Sequence, residues 1–328
     1  MNERMKRITK LYFTFVTAFV LMIFPPIQGN AFEGTKKDTR FVKGQIIYQQ
    51  KKNGTLSVCG FKKGITTAHI AGTINGRKVA TINWKAFYRC KTLKHVTIPK
   101  SVKAIGGDAF YNCKSLKSIS MPNCVKQIGR FAFGGCTSLR SITLPNKLKM
   151  INNGLFFNCT ALAEIKIPQS ITYISHDAFV GCKKLHDIHI DKDNAVYFSK
   201  KGVLFSRDMA TLICYPSGKN QSSYTIPKNV KNIGSHAFKQ CRQLNRIIIP
   251  GNVNNIGGFA FDCCTNLTDI TIKDGVKTID GFAFSGCRAL KKIIIPKSIT
   301  TIGYTIFSGC NEHLKIIYDG PEKKVKWF

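Results

Sequence analysis

Acidic residues are scarce in this sequence, and so are the motifs from which hydrolytic, phosphate-binding and zinc sites are built. Its 328 residues include 50 Lys and Arg but only 17 Asp and Glu, which gives a formal net charge of +33. There is no Gly-x-Ser-x-Gly, no His-Glu-x-x-His, no glycine-rich loop that ends in Lys-Ser or Lys-Thr, and no Cys-x-x-Cys pair. We therefore expect that the protein is not an enzyme and needs no cofactor.

Long apolar runs are also rare, and the single candidate is the segment from Leu11 to Phe24. It is too short to cross about 30 Å of hydrocarbon as a helix that rises 1.5 Å per residue. Basic residues precede it, and Gly29-Asn30-Ala31 offers small residues for cleavage. We expect a signal peptide over residues 1–31, a secreted or cell-surface protein, and no transmembrane segment after cleavage. An uncleaved signal anchor is the alternative.

An internal repeat of 23 residues dominates the rest of the chain. Three residue types return in fixed columns, with one step of 59 residues where 36 are inserted. The phenylalanines are Phe87, Phe110, Phe133, Phe156, Phe179, Phe238, Phe261, Phe284 and Phe307. The cysteines are Cys90, Cys113, Cys136, Cys159, Cys182, Cys241, Cys264, Cys287 and Cys310. The leucines are Leu93, Leu116, Leu139, Leu162, Leu185, Leu244, Leu267 and Leu290. Such a fixed period predicts a stacked repeat array.

One unit of the repeat can be interpreted from residue 86. Its first apolar residues have the i, i+1, i+4, i+7 spacing that predicts a short helical turn with one buried face: Ala86, Phe87, Cys90 and Leu93. Val96 and Ile98 alternate with polar residues, as in a half-buried strand, and Pro99 ends that strand. Gly106 is expected to supply the bend into the next unit. The fold class is therefore an α/β repeat, a solenoid of about nine units with stacked strands and short helical turns.

The columns also predict the domain organisation. Val79 and Ile82 stand 23 residues before Val102 and Ile105, so a half-unit precedes the first full repeat. We expect an N-terminal cap region over residues 32–78 and the solenoid over residues 79–328. The inserted residues, about 191–226, contain short apolar runs around Ser199-Lys200-Lys201-Gly202, which predict a β-rich insertion within the solenoid.

The repeated motif resembles the BspA-like class of leucine-rich repeats. Residues 86–106, AFYRCKTLKHVTIPKSVKAIG, match it closely, and the resemblance extends over about residues 46–328. It implies a leucine-rich-repeat solenoid in an exported surface protein, of a family implicated in adhesion to host proteins, other microbes or matrix. It implies no catalytic residues. Leu155 and Ile306 replace the alanine of the motif, and Asp191 and Lys273 replace its proline, which suggests local irregularity.

Thirteen cysteines in an exported chain raise the question of disulfides. Equivalent side chains in adjacent coils point in parallel towards the core, so we expect the nine column cysteines to be buried packing thiols without disulfides. Cys59, Cys124, Cys214 and Cys263 lie outside the column and are the better disulfide or reactive candidates.

Asp187, His189 and Asp191 form the sharpest candidate for a metal site, because their side chains would share one strand face. The residues that follow lack the glycine and distal glutamate of a calcium loop. Acidic and histidine side chains at a strand end are usually solvated. We therefore expect no metal site.

Basic residues recur in register with the repeat. One column lies between the valine and isoleucine of successive units: Lys103, Lys126, Lys149, Lys231 and Lys277. Another follows the leucine: Lys94, Lys117, Arg140 and Lys291. These nine residues are the candidate ligand-binding residues, since repetition turns each column into a stripe of like charge. Solubility and edge protection would also favour lysine, but they predict interspersed acids, which are few.

The leading hypothesis is therefore an adhesin-like binding module. Its expected partner is an extracellular protein or an acidic polysaccharide, and an anionic cell envelope is a further possibility. Nucleic acid is disfavoured because the chain is exported and the predicted strand face has no aromatic stacking positions. Two alternatives stay open: a component, catalytic or not, of extracellular polymer degradation, and a purely structural surface protein.

Overall fold

The computed structural model describes residues 39–320 and 326–327, and these residues form short strands joined by turns. The expected signal peptide over residues 1–31 lies outside the described residues, as does Phe328. The described residues belong to one unit, Thr39–Phe328. No helix of the described part is long and apolar enough to span a membrane.

Strands precede the first full repeat and then recur in every coil, as each 23-residue turn of the solenoid is called here. The first six are β1 (Arg40–Lys43), β2 (Ile46–Gln50), β3 (Leu56–Phe61), β4 (Thr67–His69), β5 (Thr73–Ile74) and β6 (Arg77–Ile82). The next eight are β7 (His95–Thr97), β8 (Ala104–Ile105), β9 (Ser118–Ser120), β10 (Gln127–Ile128), β11 (Met150–Ile151), β12 (Glu164–Ile167), β13 (Tyr173–Ile174) and β14 (Asp187–Ile190).

The remaining strands follow the same plan after three strands of a different kind. Those three are β15 (Tyr197–Lys200), β16 (Val203–Ser206) and β17 (Thr211–Cys214). The last ten are β18 (Ser223–Thr225), β19 (Asn232–Ile233), β20 (Arg246–Ile249), β21 (Asn255–Ile256), β22 (Asp269–Ile272), β23 (Thr278–Ile279), β24 (Lys292–Pro296), β25 (Thr301–Ile302), β26 (Lys315–Asp319) and β27 (Lys326–Trp327).

Each coil contributes a first strand and a second strand to two different parallel ladders. First strands pair with first strands, as in β7 with β9 and β12 with β14. Second strands pair likewise, as in β8 with β10. Between regular coils the register is one repeat, for example Ile165 opposite Ile188. The result is a leucine-rich-repeat β-solenoid of about 11 turns.

The strands β15, β16 and β17 interrupt this plan. They pair antiparallel with one another, and β17 then pairs parallel with the second strand β19. Buried apolar residues form two clusters that meet here, one from Ile46 to Leu204 and the other from Val203 to Ile306. We call residues 79–190 the first block and residues 226–320 the second block.

A stack of phenylalanines fills the core of both blocks. Neighbouring rings lie parallel with centroids 5.2 to 6.0 Å apart from Phe87 to Phe179. In the inserted coil Tyr215 takes the column position and stacks on Phe238 at 5.1 Å. The alanine, cysteine and leucine columns pack beside the rings, and Ala86, Phe87, Cys90 and Leu93 are all buried. The predicted core face is thus confirmed.

The predicted helical turns are wrong, since the described residues contain no helix. Successive amides in this segment alternate between two kinds of acceptor. The amides of Tyr88 and Cys90 donate within the coil, to carbonyls three residues earlier, whereas those of Phe87 and Arg89 donate to the next coil at 2.7 Å. Lys85 and Arg89 also have φ near +57°, outside the helical region. The segment is a stack of turns held by bonds between coils.

Gly106 has a different role from the bend expected of it. Its φ is not in the left-handed region. A Cβ on Gly106 would lie 2.4 Å from the backbone nitrogen of Trp84, and a Cβ on Gly129 would lie 2.3 Å from that of Gly107. At Gly106 and Gly129 neighbouring coils therefore approach too closely for a side chain.

Candidate binding surfaces

Each coil presents three faces: one at its first strand, one at its second strand, and a turn face formed by the turns that follow the second strand. In the coil of β7 the turn face comprises residues 83–93. Side chains on a strand alternate between core and solvent, so every coil adds one outward residue to each ladder. The faces therefore carry columns of residues 23 positions apart.

The first-strand face presents a track of small hydroxyl side chains in the first block. Thr97, Ser120 and Thr143 are exposed between the buried apolar residues of their strands, and Lys166 and His189 continue the track. In the second block the same column contains Ile248, Thr271 and Ile294, and Ile294 is 44% exposed. Three consecutive hydroxyl side chains therefore occur at Thr97, Ser120 and Thr143, whereas the second block mixes threonine with isoleucine.

The Lys94 column lies at the beginning of the first-strand face. Lys94 and Lys117 stand on adjacent coils, since the amide of Lys117 donates to the carbonyl of Lys94 at 2.8 Å, and Arg140 follows on the next coil. All three side chains are exposed. Lys291 is also exposed but stands apart, because Ala163, His186, Asn245 and Thr268 occupy the positions between.

The Lys103 column lies beyond the other end of the first strands, where each second strand begins. The amide of Lys126 donates to the carbonyl of Lys103 at 2.9 Å, and Lys149 follows on the next coil. The ammonium of Lys103 reaches back to the carbonyl of Lys100 at 2.9 Å, which places it at the turn after the first strand. Lys231 and Lys277 are exposed but separated from each other by Asn254.

The structure therefore brings six of the nine predicted residues together as two triplets that border one hydroxyl track. The triplets are Lys94, Lys117 and Arg140, and Lys103, Lys126 and Lys149. Within residues 39–320, none of the nine forms an ion pair with a carboxylate. The other three stand singly on the second block.

The column cysteines are buried thiols without disulfides, as the sequence predicts, and only Cys310 is half-exposed. Eight of the nine donate to the carbonyl of the aromatic residue 26 positions earlier, at 3.0 to 3.5 Å. Burial raises the pKa of Cys159 to about 12 and also raises the pKa of Cys136 and Cys182. These thiols are therefore inert packing residues at neutral pH.

The four cysteines outside the column were the candidates for disulfides or reactive thiols. Cys59 donates to the carbonyl of Ile47 at 3.5 Å, and Cys124 to the carbonyl of Lys100 at 2.9 Å. Cys214 and Cys263 are half-buried and form no disulfide. Burial raises the pKa of both thiols, to about 12 for Cys214. The structure therefore supports neither disulfide bonding nor a reactive thiolate at Cys214 or Cys263.

The acidic and histidine residues of the considered metal site are only partly assembled. The Nε2 atom of His189 lies 3.5 Å from Oδ2 of Asp187 and 3.8 Å from Oε2 of Glu164. Asp191 instead accepts from the amide of Asp193 at 3.0 Å. No group of three potential metal ligands occurs in the part of the chain that the structure describes.

The turn face carries aromatic columns that the sequence interpretation missed. In the first block the rings of Tyr88 and Tyr111 stack at 5.6 Å, and Phe131 packs edge-on against Tyr111. In the second block Phe259 stacks on both His236 and Phe282. These residues occupy two columns that are each aromatic in only some coils. The signal in the sequence was an aromatic residue followed 23 positions later by glycine, as in Tyr111 and Gly134.

Several solved structures have a similar fold. A leucine rich cell surface protein from Faecalibacterium prausnitzii A2-165 is 26% identical, with a TM-score of 0.54 over 89% of this chain and 97% of that chain. The pneumococcal vaccine antigen PcpA is 22% identical, with a TM-score of 0.66 over 87% and 86%. A leucine-rich repeat protein from Eubacterium ventriosum ATCC 27560 is 22% identical, with a TM-score of 0.50 over 84% and 95%. Curated proteins give no significant match.

The family described as BspA type leucine rich repeat region matches residues 78–200 and 214–324, in six copies. The two matched ranges are separated by residues 201–213, which include β16 and most of β17, the antiparallel strands that interrupt the regular coils. The repeat register, the parallel ladders and the matched ranges agree, and the chain belongs to the BspA-type leucine-rich repeat family.

Proposed function

We propose that this protein is a secreted or cell-surface binding module, adhesin-like in role, that binds an acidic polymer on its first-strand face. The observation that carries the proposal is the pair of cationic triplets on three consecutive coils, with no carboxylate partner among the described residues. A surface that serves only solubility would intersperse acids with these cations. The absence of acidic residues beside these cations is explained if a ligand supplies the negative charge.

Electrostatics favours a partner that is extended and repeatedly charged. Adjacent coils are about 4.8 Å apart, so like charges held at that spacing repel one another by about 1 kcal/mol per pair in water before salt screening. A polyanion that lies along the solenoid converts this repulsion into attraction. The hydroxyls of Thr97, Ser120 and Thr143 lie between the triplets and offer hydrogen bonds to the same ligand.

An acidic polysaccharide fits this face best, with an acidic protein surface as the other extracellular partner that the family resemblance suggests. An anionic cell envelope would use the same cations and would retain the protein at the surface. The similarity to a protein described as a leucine rich cell surface protein supports that location. None of the similar structures named above is described as an enzyme.

Salt-dependent binding to heparin and to polyphosphate tests the proposal. We expect the purified protein to bind both at low salt, and its affinity to fall steeply as salt rises, because the cations are exposed and screened. Replacement of all six triplet residues with glutamine should weaken binding by about 100-fold, or about 2.7 kcal/mol. Binding that is insensitive to salt, or equal in the variant and the wild type, would refute the proposed function.

A further inference from the structure

Aromatic side chains stand where solvent reaches them on the turn face at the beginning of the first block. Trp84 is 56% exposed, and Tyr88 and Tyr111 are half-buried. None of the three belongs to the core, which here is filled by Phe87 and Phe110. Large aromatic residues that a soluble protein leaves exposed side by side commonly mark a binding site.

These rings are held in place and do not move freely on the surface. The Nε1 atom of Trp84 donates to Oδ2 of Asp108 at 3.2 Å. Tyr88 and Tyr111 stack with an angle of 12° between their planes. A Cβ on Gly134 would lie 2.9 Å from Cδ2 of Tyr111, so this glycine makes room for the ring. A surface ordered in this way loses little conformational entropy when a ligand binds.

A further aromatic residue borders these rings. Phe131 packs edge-on against Tyr111, with ring centroids 6.2 Å apart. Its φ of +52° belongs to a turn that recurs in most coils, since Lys85, Phe259 and Phe282 at the equivalent position also have a positive φ. The turn therefore fixes the direction in which this column of side chains points.

Cations surround the aromatic residues. The Nζ atom of Lys85 lies 4.1 Å from the centroid of the Trp84 ring and 4.9 Å from that of Tyr88. The guanidinium of Arg89 lies 5.1 Å from the Tyr88 ring. Both groups are therefore placed beside the rings, where they can meet negative charge on a ligand that contacts those rings.

We propose that this aromatic–basic surface is a second binding site, which holds the sugar rings of an acidic polysaccharide. Trp84, Tyr88 and Tyr111 contact the apolar C–H faces of the sugars. Lys85 and Arg89 bind the carboxylates or sulfates. An acidic polysaccharide repeats sugar rings and acidic groups along its chain, and this surface offers aromatic rings for the first and basic side chains for the second. The inference rests on the proposed function for the acidity of the ligand, but it places the sugar-specific contacts on a different face.

Two anionic probes, one with sugar rings and one without, separate sugar recognition from charge alone. Hyaluronan oligosaccharides contain sugar rings and carboxylates, whereas polyphosphate contains charge without rings. We expect replacement of Trp84, Tyr88 and Tyr111 with alanine to weaken oligosaccharide binding about tenfold and to change polyphosphate binding by less than about twofold. Tyr304→Ala is the matched control, because Tyr304 is also exposed on the turn face, at 58%, but lies in the second block.

A fluorescence measurement tests the same site without disturbing it. The chain has two tryptophans, so the Trp327→Phe protein reports on Trp84 alone. We expect its emission to change on titration with the oligosaccharide and to stay constant with polyphosphate. The site is refuted by constant emission with the oligosaccharide, by equal loss of both probes in the triple variant, or by an emission change only with anionic phospholipid vesicles.

Failure of the aromatic–basic site and failure of the proposed function give different results. If glutamine at the six triplet positions leaves polyphosphate binding unchanged, the first-strand face is not the polyanion site. The aromatic–basic surface would still be supported as a binding site if the emission of Trp84 changes with the oligosaccharide and the triple alanine variant binds the oligosaccharide more weakly. If instead the six-glutamine variant loses polyphosphate binding and the triple alanine variant keeps oligosaccharide binding, the triplets bind polyanions and the turn face is not a binding site.

Discussion

The two blocks of the solenoid share one core and differ in their surfaces. Both stack the same alanine, phenylalanine, cysteine and leucine columns, all buried in their regular coils. Residues 79–190 contain sixteen Lys and Arg and four Asp and Glu, whereas residues 226–320 contain twelve Lys and Arg and six Asp and Glu. In the second block Lys239 pairs with Asp262 and Arg246 with Asp269, but in the first no described lysine or arginine has a carboxylate partner. The repeat fixes the interior and leaves the exterior free to specialise.

The turn faces of the two blocks also differ in whether the cations beside their aromatic rings are paired with carboxylates. In the second block His236, Phe259 and Phe282 form a continuous stack with centroids 5.1 and 4.8 Å apart, and Lys239 beside Phe259 is paired with Asp262. In the first block the cations beside the rings form no such pair. In the second block two surface cations, Lys239 and Arg246, are thus paired with carboxylates, whereas the described residues of the first block contain no such pair.

The largest expected effect comes from removal of one ring of the core stack in each block. Phe133→Ala and Phe261→Ala should each lower the free energy of unfolding by about 3 to 5 kcal/mol, because each leaves a cavity in close-packed core. Since the two core clusters meet only at the insertion, each change should destabilise mainly its own block.

Urea unfolding followed by one tryptophan in each block measures this separation. Trp84 reports on the first block in a Trp327→Phe background. A Tyr304→Trp change reports on the second block in a background that lacks both native tryptophans. Thr271→Ala, on the exposed first-strand face, is the control and should cost less than about 0.5 kcal/mol. Equal shifts of both probes for either core change would show that the blocks unfold as one unit.

Charge removal should affect the blocks unequally. Lys103, Lys126 and Lys149 changed together to glutamine should weaken heparin binding at low salt about tenfold, or about 1.4 kcal/mol. The same change at Lys231, Lys277 and Lys291 removes the same charge from isolated positions and should weaken it only about twofold. Isothermal titration of both triple variants checks this. Equal losses would mean that net charge, and not the triplet arrangement, determines affinity.

Mild acid should destabilise the second block through His236. Burial, and then the charge of Lys239, lowers the pKa of His236 to about 4. An unfolded histidine has a pKa near 6.5, so between these values the unfolded chain binds a proton that the folded chain does not. The stability that this residue contributes is therefore lost as the pH falls from about 6.5 towards 4. Thermal melts from pH 7 to 5 should show a smaller drop for His236→Gln than for the wild type; parallel curves would contradict it.

The smallest expected effect concerns the exposed pair of Arg246 and Asp269. Its side chains are 62% and 42% exposed, so Asp269→Asn should cost less than about 1 kcal/mol of stability. If pairing with Asp269 keeps Arg246 from binding heparin, the same variant should bind heparin slightly more tightly than the wild type. A large loss of stability, or weaker heparin binding, would mean that the pair has another role.

The core and its register could be predicted from the sequence because both depend on periodicity alone. A column such as Phe87, Phe110 and Phe133 can be buried in every coil only if coils stack in register. The helical turns were predicted wrongly because the spacing of Ala86, Phe87, Cys90 and Leu93 fits a helix face as well as a tight turn. Asn112, Gly135 and Asn158 in the Arg89 column were the overlooked signal, since these residue types tolerate a positive φ.

The candidate surfaces were predicted only in part. The lysine columns follow from the repeat, but their grouping into two triplets on either side of the track from Thr97 to Thr143 required the strand positions. The aromatic–basic surface was missed because Trp84 and Tyr88 stand in columns that are aromatic in only a few coils, and only Tyr88 and Tyr111 repeat there at 23 residues. The contact of Lys85 with both Trp84 and Tyr88 depends on side-chain geometry that spacing does not reveal.

The repeat length and the composition are enough to predict that this chain is a solenoid, which residues fill its core, and that its surface is strongly basic. The three-dimensional structure was needed for three other properties. They are how the turn amides divide their hydrogen bonds between coils, where β15, β16 and β17 interrupt the core, and which cations have no carboxylate partner among the described residues. These properties depend on contacts between coils, and a contact is fixed only when the neighbouring coil is in place.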